Sequence, residues 1–315
     1  MSQAARHVLP FPGALGQGLL QRIGNTPLLR FRRLTDAVPR VAVLAKAEWV
    51  NPGGSVKDRA AASIVADALR RDKLADGKIL LDSTSGNTGI AYAMLGAVEG
   101  FPVTLCMPEN VSPDRLRIVR AYGAQVISTD PSEGSDGALR KAREIAAAEP
   151  QKYFYADQYS NEANWSAHYH GTAEEIWRQA EGRITHFVAM LGTSGTFVGT
   201  ARKLKELNSD IQCISLQPDS PFHGIEGAKH MPTSIVPKIY DPALADQEVF
   251  VSTEDAYAMV KRLAVEEGLL VGISGAAALV GALQVAAEAA PDSVVVTIFP
   301  DGAHRYLSER FWEDI

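Results

Sequence analysis

Short continuous apolar runs alternate along the chain with longer stretches in which apolar residues recur every three or four positions. The runs at 41–50, 78–84, 103–108, 125–129, 153–157, 186–191, 211–217, 248–252, 269–274 and 294–300 predict strands. Between them, 113–122, 137–148, 163–179, 196–207, 254–267 and 276–289 predict helices, amphipathic or rich in small residues. Several strand runs carry no polar alternation, as in Val294-Val295-Val296-Thr297-Ile298-Phe299. Such runs suit strands covered by helices on both faces. The repeated order of strand and helix predicts an α/β fold of open, mostly parallel, twisted sheets flanked by helices. Ten strands are many for one sheet, so two sheets are expected. The segment 218–241 breaks the pattern. It is rich in Pro, Gly, Ser and His without a period, and its length marks a functional loop such as a lid or entrance.

Composition narrows the classes of function. The 315 residues allow two domains or one large α/β domain. A hydrophobic content of 46% with 22% charged residues is that of an ordinary soluble globular protein. The net charge of −6 argues against nucleic acid or an anionic membrane as a bulk partner. No uncharged apolar run reaches the ~18 residues of a membrane helix. Cys106 and Cys213 both sit inside apolar runs. They read as buried thiols of a reducing, cytoplasmic compartment rather than a disulfide or a metal site. The first twenty residues hold one Lys or Arg, Arg6, and a short apolar stretch broken by Pro10 and Pro12, so a loose arm is expected there rather than a signal peptide. No HExxH, CxxC or paired-His spacing marks a metal. His168 and His170 are two apart and would not share a helix face.

Ligands of open α/β sheets bind beyond the carboxyl ends of strands, and four polar loops fall there. The first, Asn51-Pro52-Gly53-Gly54-Ser55-Val56-Lys57-Asp58-Arg59-Ala60-Ala61, leads from the first long apolar run into a helix-compatible stretch. Lys57 at that junction stands near the positive end of a helix, which favours a neutral, nucleophilic amine. Such a lysine suits Schiff-base chemistry with an aldehyde cofactor, although one lysine alone also reads as a surface residue in a glycine turn. The second loop, Thr84-Ser85-Gly86-Asn87-Thr88-Gly89, offers hydroxyls and N–H groups at a helix start, a site for a carboxylate or phosphate. The third, Gly192-Thr193-Ser194-Gly195-Thr196, is a phosphate cradle without the lysine of a nucleotide P-loop. The fourth, Gly272-Ile273-Ser274-Gly275-Ala276, contains a serine that by itself is a helix cap.

Together these loops resemble the motifs of the fold-type II pyridoxal-phosphate enzymes, and more narrowly those of the cysteine synthase and cystathionine β-synthase group. Residues 51–61 resemble its lysine motif, 84–89 its substrate-carboxylate loop and 192–196 its phosphate loop. Gly24-Asn25-Thr26-Pro27-Leu28 resembles its N-terminal signature. Pro300-Asp301-Gly302-Ala303-His304-Arg305-Tyr306-Leu307-Ser308 resembles its C-terminal one. The motifs follow in family order from residue 24 to 308. The resemblance implies that Lys57 holds pyridoxal 5′-phosphate as a Schiff base and then removes the substrate Cα proton. Asn87 would bond the pyridoxal 3′-oxygen, and Gly192, Thr193, Ser194, Gly195 and Thr196 would hold the phosphate. Thr84, Ser85 and Thr88, with Gln158, would bind the substrate α-carboxylate. Ser274 would face the pyridine nitrogen, where a hydroxyl leaves the ring a weak electron sink. That favours loss of the Cα proton coupled to departure of a β-leaving group, hence β-replacement through an aminoacrylate. The resemblance also implies a smaller mobile domain over 50–160 carrying the carboxylate loop, a larger one from 1–49 plus 161–315 carrying the phosphate loop, and a homodimer.

Within the group, Asn87-Thr88-Gly89 favours β-replacement over deamination, and the end at Ile315 favours the cysteine synthases over relatives with a regulatory domain. The expected reaction forms L-cysteine from O-acetyl-L-serine or O-phospho-L-serine and a sulfur donor: sulfide, thiosulfate or a sulfur-carrier protein. Alternatives with the same chemistry are cystathionine β-synthase and 2,3-diaminopropionate synthase; a non-catalytic regulatory binding protein is the alternative of another class. The stretch His223 to Met231 resembles the B branch of cysteine synthases, whose basic residues here meet anionic donors. Lys229, with His230, is accordingly a candidate for a phosphate or sulfonate, weighed equally against a solvated lysine in a loop. Two departures from the usual pattern are His304, where an acid is common, and Ala276, where glycine is common and a methyl would crowd the ring-nitrogen side.

Overall fold

The computed structural model describes residues 18–313, so the expected N-terminal arm lies almost wholly outside the described residues. Within them are ten strands: β1 (Leu28–Arg30), β2 (Ala42–Ala47), β3 (Ile79–Ser83), β4 (Val103–Pro108), β5 (Gln125–Thr129), β6 (Tyr153–Tyr155), β7 (His186–Met190), β8 (Gln212–Pro218), β9 (Gln247–Val251) and β10 (Val294–Phe299). They form two sheets, as expected. One has the order β5, β4, β3, β6 and is parallel throughout. The other has the order β1, β2, β10, β7, β8, β9 and is parallel except for β1, which runs antiparallel to β2.

Nine helices flank them among the described residues: α1 (Lys57–Arg70), α2 (Asn87–Glu99), α3 (Pro113–Ala121), α4 (Gly134–Ala148), α5 (Glu162–Ala167), α6 (Ala173–Gln179), α7 (Gly195–Leu207), α8 (Thr253–Arg262) and α9 (Ile273–Glu288). The unbroken apolar strands have a simple cause, since both faces of each sheet are buried. Along β10, Val295 and Phe299 enter one core while Val296 and Ile298 enter the other. In β4, Leu105 and Met107 face one core and Cys106 faces the opposite one.

Three expectations needed correction. The run at 269–274 is not a strand; only Val271 makes a bridge, to Gly302. The short edge strand β1 was not expected. The helix expected over 163–179 is two helices, α5 and α6, joined through a wide π turn at His168–Thr172. None of the described helices is long and apolar enough to cross a membrane. The irregular segment after β8 folds back over the strand ends: Met231 N–H donates to Gln217 Oε1 at 2.8 Å and Lys229 N–H to Leu191 O at 2.8 Å.

Candidate active site

The turn before α1 is built for close approach. Gly54 takes φ +79°, a left-handed backbone that suits glycine, and its N–H donates to Asn51 O at 2.8 Å. Gly53 N–H donates to Asp58 Oδ2 at 2.5 Å, and a Cβ at Gly53 would meet the same carboxylate. Ser55 Oγ accepts from Lys57 N–H at 3.2 Å, and Val56 N–H donates to Pro300 O at 2.8 Å. Lys57 thus opens α1 against the end of β10. Burial lowers its ammonium pKa, against the opposing pull of Asp301 and Glu48. The expected direction holds, but desolvation is the leading cause rather than the helix dipole.

Facing Lys57 across one cleft is the 192–196 loop. Lys57, Asn87, Gly192, Thr193, Ser194, Thr196 and Ser274 all line this cleft. A Cβ on Gly192 would strike Gly227 O, and one on Gly195 would strike the Asn164 amide. Ser194 sits in the left-handed region at φ +68°, with its hydroxyl buried and unpartnered. Backbone strain in a non-glycine residue and an orphan buried hydroxyl at the start of a 13-residue helix both suit a bound anion. The cradle therefore suits a phosphate, and the cleft it lines also holds the Lys57 amine that an aldehyde cofactor would need.

Two residues not singled out as site candidates support the cradle from behind. Asn164 Nδ2 donates to Thr193 Oγ1 at 3.1 Å and to Gln158 O at 2.7 Å. His168 lies within 3.3 Å of Thr196 Oγ1 through Nε2 and within 2.9 Å of Thr172 Oγ1 through Nδ1. Burial, then Arg59 and Lys57, keep this imidazole neutral. Neither residue could be assigned from sequence, because a polar residue on a helix gains meaning only with its distant partner.

The 84–89 loop flanks the other side of Asn87. Thr84 Oγ1 accepts from Gly86 N–H at 3.0 Å and from Gly89 N–H at 3.3 Å, which shapes the turn. Thr88 Oγ1 donates to Gln158 Oε1 at 2.8 Å, and Gln158 Nε2 donates to Ser83 O at 2.7 Å. Thr88, Gln158, Asn164 and Thr193 are thereby joined in series, so the 84–89 and 192–196 loops share one hydrogen-bonded connection. Beneath Gly86 lies Arg115, where a Cβ would meet its guanidinium; Arg115 pairs with Glu226 and lies 5.0 Å over the Tyr306 ring.

Ser274 lies buried in the first turn of α9. Its neighbour Ala276 points into the apolar core rather than the cleft, so the expected crowding does not arise. His304 is exposed. Lys229 is not a free cation: it is 6% exposed, donates to Asp136 Oδ1 at 2.8 Å and stands 5.2 Å over the Tyr159 ring. His230 is turned to Thr233 Oγ1 at 2.8 Å. The 24–28 signature serves a buried ion network instead of the cleft. Arg59 and Lys46 both bind Glu175, and Arg59 also holds Glu48 at 2.7 Å.

A family profile described as "Pyridoxal-phosphate dependent enzyme" matches residues 19–301. The chain is 50% identical over 301 residues to a cysteine synthase of Aquifex aeolicus, covering 94% of this chain and 92% of that protein. It is 42% identical over 290 residues to cysteine synthase B of Escherichia coli, covering 92% and 94%. A crystal structure of O-acetylserine sulfhydrylase isoform 3 from Entamoeba histolytica superposes with a TM-score of 0.89 at 32% identity, covering 98% of this chain and 95% of that one.

Proposed function

Because the chain belongs to the family of pyridoxal-phosphate-dependent enzymes, and within it to the cysteine synthases, we propose how its own residues carry the reaction. The reaction is β-replacement: an activated L-serine loses its β-substituent and a sulfur donor takes that place, giving L-cysteine. When bound, pyridoxal phosphate supplies an aldehyde that condenses with amines and a ring that draws electrons from Cα.

Lys57 Nζ would hold the aldehyde, and its lowered pKa suits the same amine to take the substrate Cα proton. Gly192 to Thr196 would hold the phosphate through N–H groups at the start of α7 and the Ser194 and Thr196 hydroxyls. Asn87, lining the same cleft, would orient the ring. Thr84, Ser85 and Thr88, fixed through Gln158, receive the substrate carboxylate. Ser274 offers a hydroxyl, not a carboxylate, to the ring nitrogen.

The four-stranded sheet with α1 to α4 supports a smaller lobe over 50–160, which closes on the larger lobe, 1–49 plus 161–315, and keeps water from the reacting carbon. We place the protein in the cytoplasm as a homodimer; two buried free thiols, Cys106 and Cys213, support a reducing compartment. The observation that carries the assignment is the single cleft shared by Lys57, Asn87, Ser274 and the orphaned Ser194 hydroxyl. Turnover tests it: purified enzyme with O-acetyl-L-serine and sulfide should release L-cysteine. Equal product from ammonia would reject sulfur as the preferred nucleophile, and equal product from homocysteine would reject sulfide as the preferred sulfur donor.

A further inference from the structure

Two cations near the loops are already engaged by partners of their own. Lys229 is bound to Asp136, whose second oxygen accepts from Ile235 N–H at 2.8 Å. Arg305 donates to Asn87 Oδ1 and Gly53 O, and Asp301 is bonded to Asn87 and Tyr306. That leaves Arg115, a guanidinium with 3% side-chain exposure beneath the 84–89 loop, touching Ser85 O and the Tyr306 ring. Among the described residues its one carboxylate partner is Glu226 from the 218–241 segment, 33% exposed and itself lining the cleft beside Gly227 and Ser274.

We propose that Glu226 sets the choice of activated serine: it occupies Arg115 and presents a carboxylate to the cleft, so the enzyme takes an uncharged acyl ester and excludes a phosphate ester. A phosphate in the cleft would meet Glu226 as a like charge, and would have to break the Arg115 pair before gaining a cation of its own. An acetyl group makes no such demand. The segment that sequence reasoning singled out as selecting the donor does so through an acid, and through Glu226 instead of Lys229. This rests on the β-replacement reading above.

Two arms test it. Steady-state kinetics should show kcat/KM for O-acetyl-L-serine above that for O-phospho-L-serine by about 100-fold or more in the wild type, the scale of a like-charge contact in a partly buried site. Glu226→Gln keeps the shape and removes the charge; it should move that ratio toward the phosphate ester by at least about tenfold. Calorimetric titration of O-phospho-L-serine should tighten by a similar factor, with a salt dependence opposite in sign to that of the wild type. Glu226→Ala serves where the glutamine variant folds poorly. A wild type that prefers the phosphate ester, or variants with unshifted ratio and binding, would overturn the proposal. Failure of the β-replacement reading looks different: no turnover with either ester, with the titration still reporting the charge preference.

Discussion

Asn87 Nδ2 donates to Asp301 Oδ2 at 2.7 Å, joining the start of α2 to the end of β10 across 214 residues of chain. Tyr306 OH donates to the same oxygen at 2.6 Å, and the other carboxylate oxygen is buried without a partner. Asp301 therefore sets the rotamer of the residue assigned to the ring of the cofactor. Its replacement by Ala would strand the buried Tyr306 hydroxyl, at about 1–3 kcal/mol, and the half-buried Asn87 amide at a smaller cost. Asp301→Ala is expected to lower the denaturant midpoint and weaken cofactor retention together, read by urea unfolding and by visible absorbance after dialysis. Full retention of the cofactor would show that Asn87 needs no such anchor.

Ser194 separates stability from function. Its left-handed backbone is strained, so Ser194→Gly should stabilise the cofactor-free protein by up to about 1 kcal/mol. The same change removes a hydroxyl from the cradle, where a hydrogen bond to a charged group amounts to about 1.5–3 kcal/mol. Cofactor affinity should fall by about tenfold or more. Thermal unfolding of the cofactor-free form and a cofactor titration measure the two effects separately.

Burial gives the fold a pH dependence near neutrality. Desolvation raises the Asp82 carboxyl from 3.8 to about 7, though Ser83 and Gln158 N–H groups donate to it. Burial likewise raises Asp58 to about 7, with Gly53 N–H pulling the other way. A raised carboxyl binds its proton more tightly when folded. Its stabilisation is complete below about pH 4 and is lost as pH rises through 7, at most about 4 kcal/mol per group. Asp82→Asn should remove roughly half of the slope in unfolding free energy between pH 5 and 8, since Asp58 titrates in the same window. An unchanged slope would mean Asp82 stays ionised throughout.

The opposite sign holds for Glu175. Burial alone would raise its carboxyl, but Arg59 and Lys46 hold it at about 2 against an ordinary 4.5. Its contribution is complete above pH 4.5 and is lost as pH falls toward 2. Glu175→Gln leaves two buried cations short of a partner, and a destabilisation of about 3–5 kcal/mol is expected at pH 7. Chemical unfolding of the variant at pH 7 and at pH 3 checks both size and sign: the deficit should shrink in acid.

Much of this was legible in the sequence, and the reason is physical. Continuous apolar runs and loop chemistry are local features, and both sheets and all four polar loops follow from them. β1 was missed because three residues, Leu28–Arg30, are too few to show a period. The run at 269–274 was misread because a buried loop is as apolar as a buried strand. The rest of the site is long-range. Asn164 reaches Thr193, Arg115 reaches Glu226 and Asp301 reaches Asn87 only once the chain has folded. Lys229 shows the converse, a cation whose neighbour Asp136 is 93 residues away.

The most direct test concerns residue 57. The protein saturated with pyridoxal phosphate would be reduced with borohydride, digested and mapped by mass spectrometry, beside a Lys57→Ala control. The pyridoxyl group is expected on the peptide carrying Lys57 and absent from the control, which should also lose its yellow colour. A pyridoxyl group on any other lysine, or a control that keeps both label and colour, would contradict the assignment.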